Sequence, residues 1–352
     1  MFAADTISRI AGVFLPNPRI FQISKEPAGN INGTYRIHTA DGTYMLQEIS
    51  RTVFGKNMKG LEHNYRQFLK VYDQYGPEQV GFAVPRWLPD KEGRLIHRDE
   101  EQKHWRIYRY LPGKPLSELA VSGKTELFAN AVAAMHFLLS HITGDVAEVI
   151  GHYHDIRRYA EAFFSVGAAG GRDAECEESI ATGLPFILDH CVFEKNAVIH
   201  GDTKIGNVLY DENTGRLSFI DLDTFCYSSR LIDIGDGVRS IAYRRGDEGR
   251  DGGGCFDQAL CRDFLKAYVS SPLCRLDQAE ASRLSDAVMR IPFELGLRYY
   301  TDYLTGNRYF PTSDPRRNLV RAKEQFRLYR EIRRCCGLAE DCAFGVSQAF
   351  VF

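Results

Sequence analysis

A short polar stretch between two apolar runs carries the residues whose types and spacing could do chemistry. It runs from His200 to Asn207 (HGDTKIGN), and the apolar run that follows it ends in Asp221. Phosphoryl transfer needs a carboxylate that accepts the proton of the attacking hydroxyl, oxygen ligands for Mg²⁺ and a cation near the transferred group. Here Asp202 can act as the base, Lys204 as the cation, and Asn207 with Asp221 as metal ligands. The pattern therefore predicts a phosphoryl-transfer site.

The apolar runs around this stretch predict the strands that position it. One run begins at Val198, and Val208 to Tyr210 begin the next, which turns at Asp211 to Gly215 and returns through Leu217 to Ile220. Polar residues at the tips of two adjacent buried strands can converge on one point. We therefore expect the base and the two metal ligands to face one cleft.

The rest of the chain divides into a β-rich first part and a helical second part. Asp41-Gly42 is a strong hairpin signal between two of the strand-like runs, and a helical stripe covers Leu61 to Tyr75. The strand-like runs of the first part are Phe21–Ser24, Thr34–Thr39, Thr43–Ile49, Ala83–Trp87 and His104–Tyr110.

Long helical segments follow the turn near Leu111 to Lys114. We place a boundary there, which gives a small sheet lobe at residues 1–111 and a larger helical lobe at residues 112–352. The helical segments are Thr125–Ile142, Arg157–Phe164, Phe256–Ser270, Gln278–Leu304 and Asn318–Arg334.

The composition excludes several classes of protein. With 44 basic and 46 acidic side chains the net charge is −2, which argues against a nucleic-acid or anionic-membrane partner. The one uncharged run of membrane length, Leu127 to Gly144, contains histidines and an asparagine, so we expect a buried core helix. Nine cysteines and no secretory signal favour a reducing cytosol. We expect a cytoplasmic protein with a small-molecule partner, and the sequence leaves its oligomeric state open.

HGDTKIGN followed by FIDLDT resembles the catalytic and metal motifs of the aminoglycoside phosphotransferase and choline kinase superfamily. The resemblance implies an α+β, protein-kinase-like bilobal fold with ATP and Mg²⁺ as cofactors. It also implies that Asp202 is the base and that Asn207 and Asp221 hold the metal. Further segments are similar to the N-acetylhexosamine 1-kinase branch: GNINGTYRI, MLQEI, WRIYRYL, GHYHDIRRY, LIDIGDGVR, GLRYYTDYLTGNRYF and NLVR.

A glycine-containing hairpin loop predicts the place of the nucleotide phosphates. Glycines let backbone N–H groups approach phosphate oxygens closely, although a plain β-turn has the same spacing. In the bilobal fold that the resemblance implies, adenine packs against the link between the lobes. The candidate nucleotide-binding residues are Gly29, Asn32, Gly33 and Thr34 in the loop, Gln47 on the next strand, and Arg109, Tyr110 and Leu111 in the link.

Gln47 departs from the usual kinase pattern, which has a lysine on the strand after the glycine loop. The N-acetylhexosamine 1-kinase branch is similar to this chain in having glutamine there. An amide can donate a hydrogen bond to a phosphate oxygen but brings no charge. We therefore expect Lys204 and the metal to neutralise more of the phosphate charge.

The candidate residues for binding the phosphate acceptor are Arg298 and Tyr309, which the resemblance to the hexosamine kinases implies as sugar contacts. An alternative is that Arg298 pairs with Asp302 on an exposed helix face and that Tyr309 is a packing residue. Asp233 and Asp236 either order the metal-bearing strand or cap a helix.

Three classes of function fit these residues. The first is a kinase that phosphorylates the anomeric hydroxyl of an N-acetylhexosamine; aminoglycoside or choline-like acceptors are alternatives within it. The second is a nucleotide-binding pseudokinase, which Gln47 keeps open. The third is a phosphatase in which Asp221 is the nucleophile and Asp223 the general acid and base.

Overall fold

The structure is a computed structural model that describes residues 2–16, 18–26, 32–55, 57–167, 171–244 and 255–337. An antiparallel sheet dominates the N-terminal part and helices dominate the C-terminal part. This confirms the α+β class and the order of sheet and helices along the chain.

The described strands form four sheets. The five strands near the N-terminus are β1 (Ile20–Lys25), β2 (Gly33–Thr39), β3 (Gly42–Ile49), β5 (His97–Arg98) and β6 (His104–Arg109), all antiparallel in the order β1-β2-β3-β6-β5. The second sheet has the order β4-β10-β9-β7, with β4 (Phe82–Ala83), β7 (Lys114–Pro115), β9 (Val208–Asp211) and β10 (Arg216–Phe219). Two strand pairs complete the set: β8 (Ala197–Ile199) with β11 (Cys226–Ser228), and β12 (Tyr243–Arg244) with β13 (Cys255–Phe256).

The described helices are concentrated after residue 123. They are α1 (Phe2–Phe14), α2 (Arg51–Phe54), α3 (Met58–Val80), α4 (Lys124–Leu139), α5 (Ile156–Ser165), α6 (Ala174–His190), α7 (Arg230–Ala242), α8 (Gln258–Ser270), α9 (Gln278–Ala281), α10 (Leu284–Leu304) and α11 (Arg317–Gly337).

Helix α1 was not expected, because the first hundred residues were interpreted as β-rich. Its buried residues Ile7, Ile10, Ala11 and Phe14 follow helical spacing and pack on the inner face of the first sheet. The helix therefore covers one face of the first sheet.

The predicted hairpin is present, with Thr39 paired to Gly42 across the turn. On the other side of β3, the register to β6 places Gln47 directly opposite Arg106. Directly opposite residues of an antiparallel pair point to the same face of the sheet. This register therefore brings an arginine to the position that the sequence left without a charge.

The predicted strand Ala83–Trp87 is wrong beyond its first residue. Pro85 has no N–H to donate to a ladder, and after β4 only a single bridge, from Trp87 to Tyr108, remains. The helix expected to end at Tyr75 continues as α3, but Gly76 is non-helical and Pro77 follows it, so a kink stands at the expected end.

Helix α4 lies in the core of the helical part, as expected from its apolar sequence. Side chains from Phe128 to Leu139 are buried on nearly every face of the helix. Among the described helices, none is long and apolar enough to span a membrane. The division at residues 111 and 112 stays a prediction; β4 pairs with β10 across it.

Helices α6 and α7 were not predicted, and the segment Gln278–Leu304 forms two helices, α9 and α10, rather than one. The glycines of α7 weaken its helical signal in the sequence. The fold needs them, since a Cβ at Gly235 would lie 2.3 Å from the carbonyl oxygen of Ala287 on α10. Close packing of α7 on α10 therefore explains a residue that local propensity disfavours.

Candidate active site

Asp233 of α7 binds the backbone of the loop that follows β8 and fixes its position. Its carboxylate accepts hydrogen bonds from the backbone N–H groups of His200 (2.7 Å) and Gly201 (2.8 Å). Gly201 has φ +83°, and a Cβ there would lie 2.6 Å from the Thr224 carbonyl oxygen. Asp233 thus orders the loop that carries Asp202. The expectation from the sequence was instead that it orders the strand that ends in Asp221.

Asp202 is paired within its own loop. The Lys204 ammonium donates to its Oδ2, and the Asn207 Nδ2 donates to the same oxygen at 3.0 Å and to the Asp202 carbonyl at 2.8 Å. Burial would raise the pKa of Asp202, but Lys204 holds it below the ordinary value. Asp202 is therefore a carboxylate at neutral pH, as a base must be.

Asp221 ends the second apolar run next to this loop. The Ile220 N–H donates to the Asn207 carbonyl at 2.8 Å, which joins the two segments. Burial, and next the charge of Asp223, raise the pKa of Asp221 to about 7. Among the described residues its carboxylate accepts no hydrogen bond, and the Asn207 amide has its nitrogen turned to Asp202, which leaves the amide oxygen free. This oxygen pair suits a divalent cation.

Asp223 is fixed by a network that sequence reasoning missed. Both of its oxygens accept from the Arg106 guanidinium, with Nη2 to Oδ2 at 2.7 Å, and Asn32 donates to Oδ2 at 3.1 Å. Arg106 also donates from Nε to the Gln47 Oε1 at 2.8 Å. A carboxylate held in this way is poorly placed to exchange protons, so the geometry speaks against Asp223 as a phosphatase acid.

A cleft of about 430 Å³ opens between the first sheet and the loop of Asp202. Asn207 and Asp221 lie on one side of it, opposite the predicted nucleotide-binding residues Asn32, Thr34, Gln47, Tyr110 and Leu111. All five of these expected residues line the same space, together with Met45, Trp87, Arg106, Tyr108 and Lys204.

Two other predicted nucleotide-binding residues, Gly33 and Arg109, do not line this cleft. Gly29 lies outside the described residues. Gly33 is paired in β2, and a Cβ there would make only ordinary contacts, with Glu48 at 3.5 Å. The Arg109 side chain turns toward the hairpin, where it lies over the Tyr44 ring.

A second cleft, of about 230 Å³, lies on the other side of the candidate catalytic loop, His200 to Asn207. Asp202 and the two predicted acceptor residues, Arg298 and Tyr309, all line it. Lys204 lines both clefts. The pair of Asp202 and Lys204 therefore stands where the two spaces meet.

The Arg298 side chain is only 10% exposed, so it does not lie on an exposed helix face. Its guanidinium lies among the rings of Tyr153, Tyr159, Tyr309 and Phe310, at 4.9 to 5.5 Å from their centres. Its acidic neighbour is Glu294, at 3.9 Å, and not Asp302. The alternative of an exposed pair with Asp302 is therefore wrong.

Asp302 instead anchors the loop that carries Tyr309. Its carboxylate accepts from the backbone N–H groups of Tyr309 (2.8 Å) and Phe310 (2.9 Å) and from the Asn318 amide (3.1 Å). These bonds fix one wall of the second cleft to α10.

His154 joins the second cleft to the catalytic loop. Its Nε2 lies 2.8 Å from the Gly201 carbonyl and its Nδ1 2.8 Å from Glu294. Both partners only accept, so both ring nitrogens must donate and the imidazole is protonated. Burial opposes this charge, but Glu294 raises the pKa of His154 above its ordinary value. The sequence offered no signal for this contact, because Gly201 and Glu294 lie far along the chain.

Residues 23–268 match the model of the phosphotransferase enzyme family (APH). The match includes the whole catalytic loop, Asp221 and both sides of the first cleft, and it covers well over half of the chain. The chain belongs to this family. As a family member it is a small-molecule phosphotransferase, an enzyme that transfers phosphate to a hydroxyl group.

Solved structures with low sequence identity share the fold of this family member. A microcompartment-associated aminopropanol kinase is 15% identical, with a TM-score of 0.64 over 95% of this chain and 99% of that chain. An amicoumacin kinase, solved with AMP-PNP and Ca²⁺, is 17% identical, with a TM-score of 0.60 over 92% of each chain. A choline/ethanolamine kinase family protein from Mesorhizobium loti is 15% identical, with a TM-score of 0.60 over 99% of this chain and 98% of that chain.

These likenesses confirm the bilobal kinase fold expected for the phosphotransferase. The family match itself confirms the expected phosphotransferase family. The narrower resemblance to the N-acetylhexosamine 1-kinase branch stays a prediction, since the comparisons identify the family and not the branch.

Proposed function

We propose that the protein is a cytoplasmic, Mg²⁺- and ATP-dependent kinase that phosphorylates the anomeric hydroxyl of an N-acetylhexosamine. One observation carries the proposal. Asp202 and Lys204 stand at the junction of two clefts, one with the features of a nucleotide site and one large enough for a small hydroxylated molecule. A kinase needs its base and a cation at such a junction.

The nucleotide and the metal are assigned to the first cleft. The amicoumacin kinase of the same fold was solved with AMP-PNP and Ca²⁺, which supports ATP and a divalent cation for this chain. Asn207 and Asp221 would hold Mg²⁺. When bound, the ion would neutralise charge on the phosphate oxygens.

The chain's own residues would carry out the proton transfer and orient the groups. The Asp202 carboxylate would accept the proton of the attacking hydroxyl, while Lys204 donates to the oxygens of the transferred group. An anomeric hydroxyl is more acidic than an ordinary alcohol. A carboxylate with a lowered pKa, as Asp202 has, is therefore a sufficient base for it.

Charge in the second cleft favours an uncharged sugar over a cationic acceptor. Its described carboxylates are Asp202 and Asp236, which are paired with Lys204 and Arg239. Arg298 and Arg321 add further positive charge. A quaternary or polyamine acceptor would find no unpaired carboxylate on these walls. The rings of Tyr153, Tyr299, Tyr309 and Phe310 offer apolar faces to a sugar ring.

Choline-like and aminoglycoside acceptors are the second candidate. They are supported by solved structures of the same fold, among them one described as the GDP and kanamycin complex of an aminoglycoside phosphotransferase. The same structure motivates a comparison of GTP with ATP as the donor.

A nucleotide-consumption screen tests the proposal. Purified protein is incubated with Mg²⁺, ATP or GTP and one acceptor from a panel of N-acetylglucosamine, N-acetylgalactosamine, glucose, choline and kanamycin, with an acceptor-free control. We expect the fastest ADP release with an N-acetylhexosamine. Faster turnover of choline or kanamycin would replace the sugar assignment, and ATP binding without turnover of any acceptor would favour a pseudokinase.

A further inference from the structure

Gln47 stands where kinases of this shape carry a lysine, and the residue paired with it across the sheet is an arginine. We propose that Arg106 of β6 supplies the positive charge for the nucleotide phosphates in place of that lysine, held in position by Asp223 and Gln47. The inference rests on the proposed function, because it assigns a residue of the same nucleotide site. It names the group that the sequence analysis found missing.

The register of the sheet delivers Arg106 to the cleft. Gln47 and Arg106 are directly opposite in the β3–β6 pair, and both side chains line the first cleft with Asp221. A lysine at the position of Gln47 on β3, as in other kinases of this shape, and the arginine at position 106 on β6 would therefore place a positive charge in the same part of the cleft.

The Arg106 guanidinium is fixed before any ligand arrives. It uses Nε toward Gln47 and one N–H of each terminal nitrogen toward Asp223, which leaves two of its five N–H groups to donate. Its carbon lies 4.4 Å from the centre of the Trp87 ring, which in turn stacks on Tyr65 at 3.7 Å. A preorganised donor of this kind costs little reorganisation when an anion binds.

Its neighbours place Arg106 at the phosphate end of the cleft. Asp223, its partner, lies two residues beyond the candidate metal ligand Asp221 and also accepts from Asn32 of the glycine-containing loop. Phosphates held by a metal at Asp221 would therefore lie close to Arg106, which lines the same cleft. The other arginine of the cleft, Arg36, pairs with Glu26 and lies over the Tyr110 ring, toward the link between the lobes.

The alternative is that Arg106 only ties the sheet to the strand of Asp221. The two roles predict different effects on the affinity for adenosine, the nucleoside that carries no phosphates. A phosphate contact affects ATP and ADP but not adenosine, whereas a purely structural tie affects all three. The two roles also predict different results for a variant that lacks both charges. If Arg106 is only a structural tie, replacing Asp223 as well removes the unpaired buried charge and restores the affinity for ATP.

The test measures Kd for ATP, ADP and adenosine, with Mg²⁺ present, by calorimetry on the full chain. We expect Arg106→Gln to weaken ATP and ADP roughly 10- to 100-fold, the range for hydrogen bonds to a charged group, with adenosine unchanged. Arg106→Lys should weaken them less, and the double variant Arg106→Gln/Asp223→Asn should stay weak. Arg98→Gln, an exposed arginine of the neighbouring β5, is the matched control.

Thermal unfolding reports whether each variant is folded. If Arg106→Gln is unfolded, the affinities of Arg106→Lys and of the double variant test the phosphate contact instead. The inference is overturned if Arg106→Gln binds ATP as the wild type does, if adenosine weakens equally, or if the double variant regains wild-type affinity for ATP. In those cases the wild type still binds ATP and the proposed function stands. A wild-type protein that binds no ATP would overturn both.

Discussion

At the scale of residues, the catalytic loop concentrates its chemistry on one carboxylate. Asp202 accepts from Lys204 and Asn207, which keep it ionised and fix its direction. Another contact fixes the loop backbone, since Asp233 of α7 accepts from the N–H groups of His200 and Gly201. The side chain that would accept the proton is therefore positioned by contacts within its own loop and by Asp233 of α7, which binds the loop backbone.

Replacing Asp202 by asparagine should lower kcat by roughly 10²- to 10⁴-fold, the usual contribution of a general base. Nucleotide affinity should change little, since Asp202 lines the second cleft and not the first. The measurements are initial rates at saturating acceptor and an ATP titration. Asp263→Asn, on the exposed face of α8, is the control, and near-wild-type turnover of Asp202→Asn would remove Asp202 from its role.

His154 should make acceptor binding depend on pH. Its pKa is raised by Glu294, against the effects of burial and of Arg298, so its contribution is complete below the unfolded value of about 6.5 and is lost as pH rises through the folded value. Loss of the proton removes one of its two hydrogen bonds. We expect acceptor KM to rise about fivefold, the effect of one such bond.

Acceptor KM is measured from pH 6 upward in the wild type, in His154→Gln and in His152→Gln. The exposed His152 makes no contact with Gly201 or Glu294 among the described residues, so its variant should keep the wild-type profile, while His154→Gln should be flat. A flat profile in the wild type would contradict the assignment of a protonated His154.

Local patterns predicted some site residues and could not predict others. Asp202, Lys204, Asn207 and Asp221 lie within one β-rich stretch, so motif spacing alone brings them together. Arg106 reaches Asp223 across 117 residues of chain. Such a pair depends on strand register and on how the two parts of the chain pack, which no local pattern records.

At the scale of elements, α10 builds much of the second cleft. Arg298 and Glu294 lie on its inner face, and Asp302 near its end holds the following loop. The sequence predicted helical structure here and left open, as an alternative to a substrate contact, an exposed ion pair of Arg298 with Asp302. Burial of the arginine among aromatic rings frees the carboxylate to bind backbone N–H groups instead.

Asp302→Ala should release the wall that carries Tyr309. Because three hydrogen bonds to the carboxylate are lost, we expect acceptor KM to rise about tenfold, with KM for ATP nearly unchanged. Steady-state kinetics with each substrate varied in turn separate the two. Asp189→Asn, exposed on α6, is the control; an equal rise in KM for ATP would indicate general unfolding instead.

Other elements show where tertiary packing overrides local signals. Helix α7 was not predicted because it contains Gly235 and Gly237, yet contact with α10 and α8 requires small residues at both positions. Helix α1 was missed although its apolar spacing is helical, since the strand-rich sequence that follows it determined the interpretation of the whole segment.

At the scale of the molecule, two clefts meet at the catalytic loop. The first combines a sheet with the candidate metal ligands Asn207 and Asp221, and the second is formed mainly by α10 and its following loop. The sequence predicted this sheet-and-helix organisation through its hairpin, its apolar periodicity and its family resemblance. The charge of the second cleft emerged only from the structure, which shows which carboxylates are already paired.

The position of the phosphate on the product tests the central claim most directly. The protein is incubated with ATP, Mg²⁺ and an N-acetylhexosamine, and the product is analysed by phosphorus NMR with coupling to sugar protons. The account predicts one new sugar-phosphate signal beside those of ADP, coupled to the anomeric proton and formed roughly 10²- to 10⁴-fold more slowly by Asp202→Asn. Phosphate on another hydroxyl, or a product formed equally well by Asp202→Asn, would contradict it.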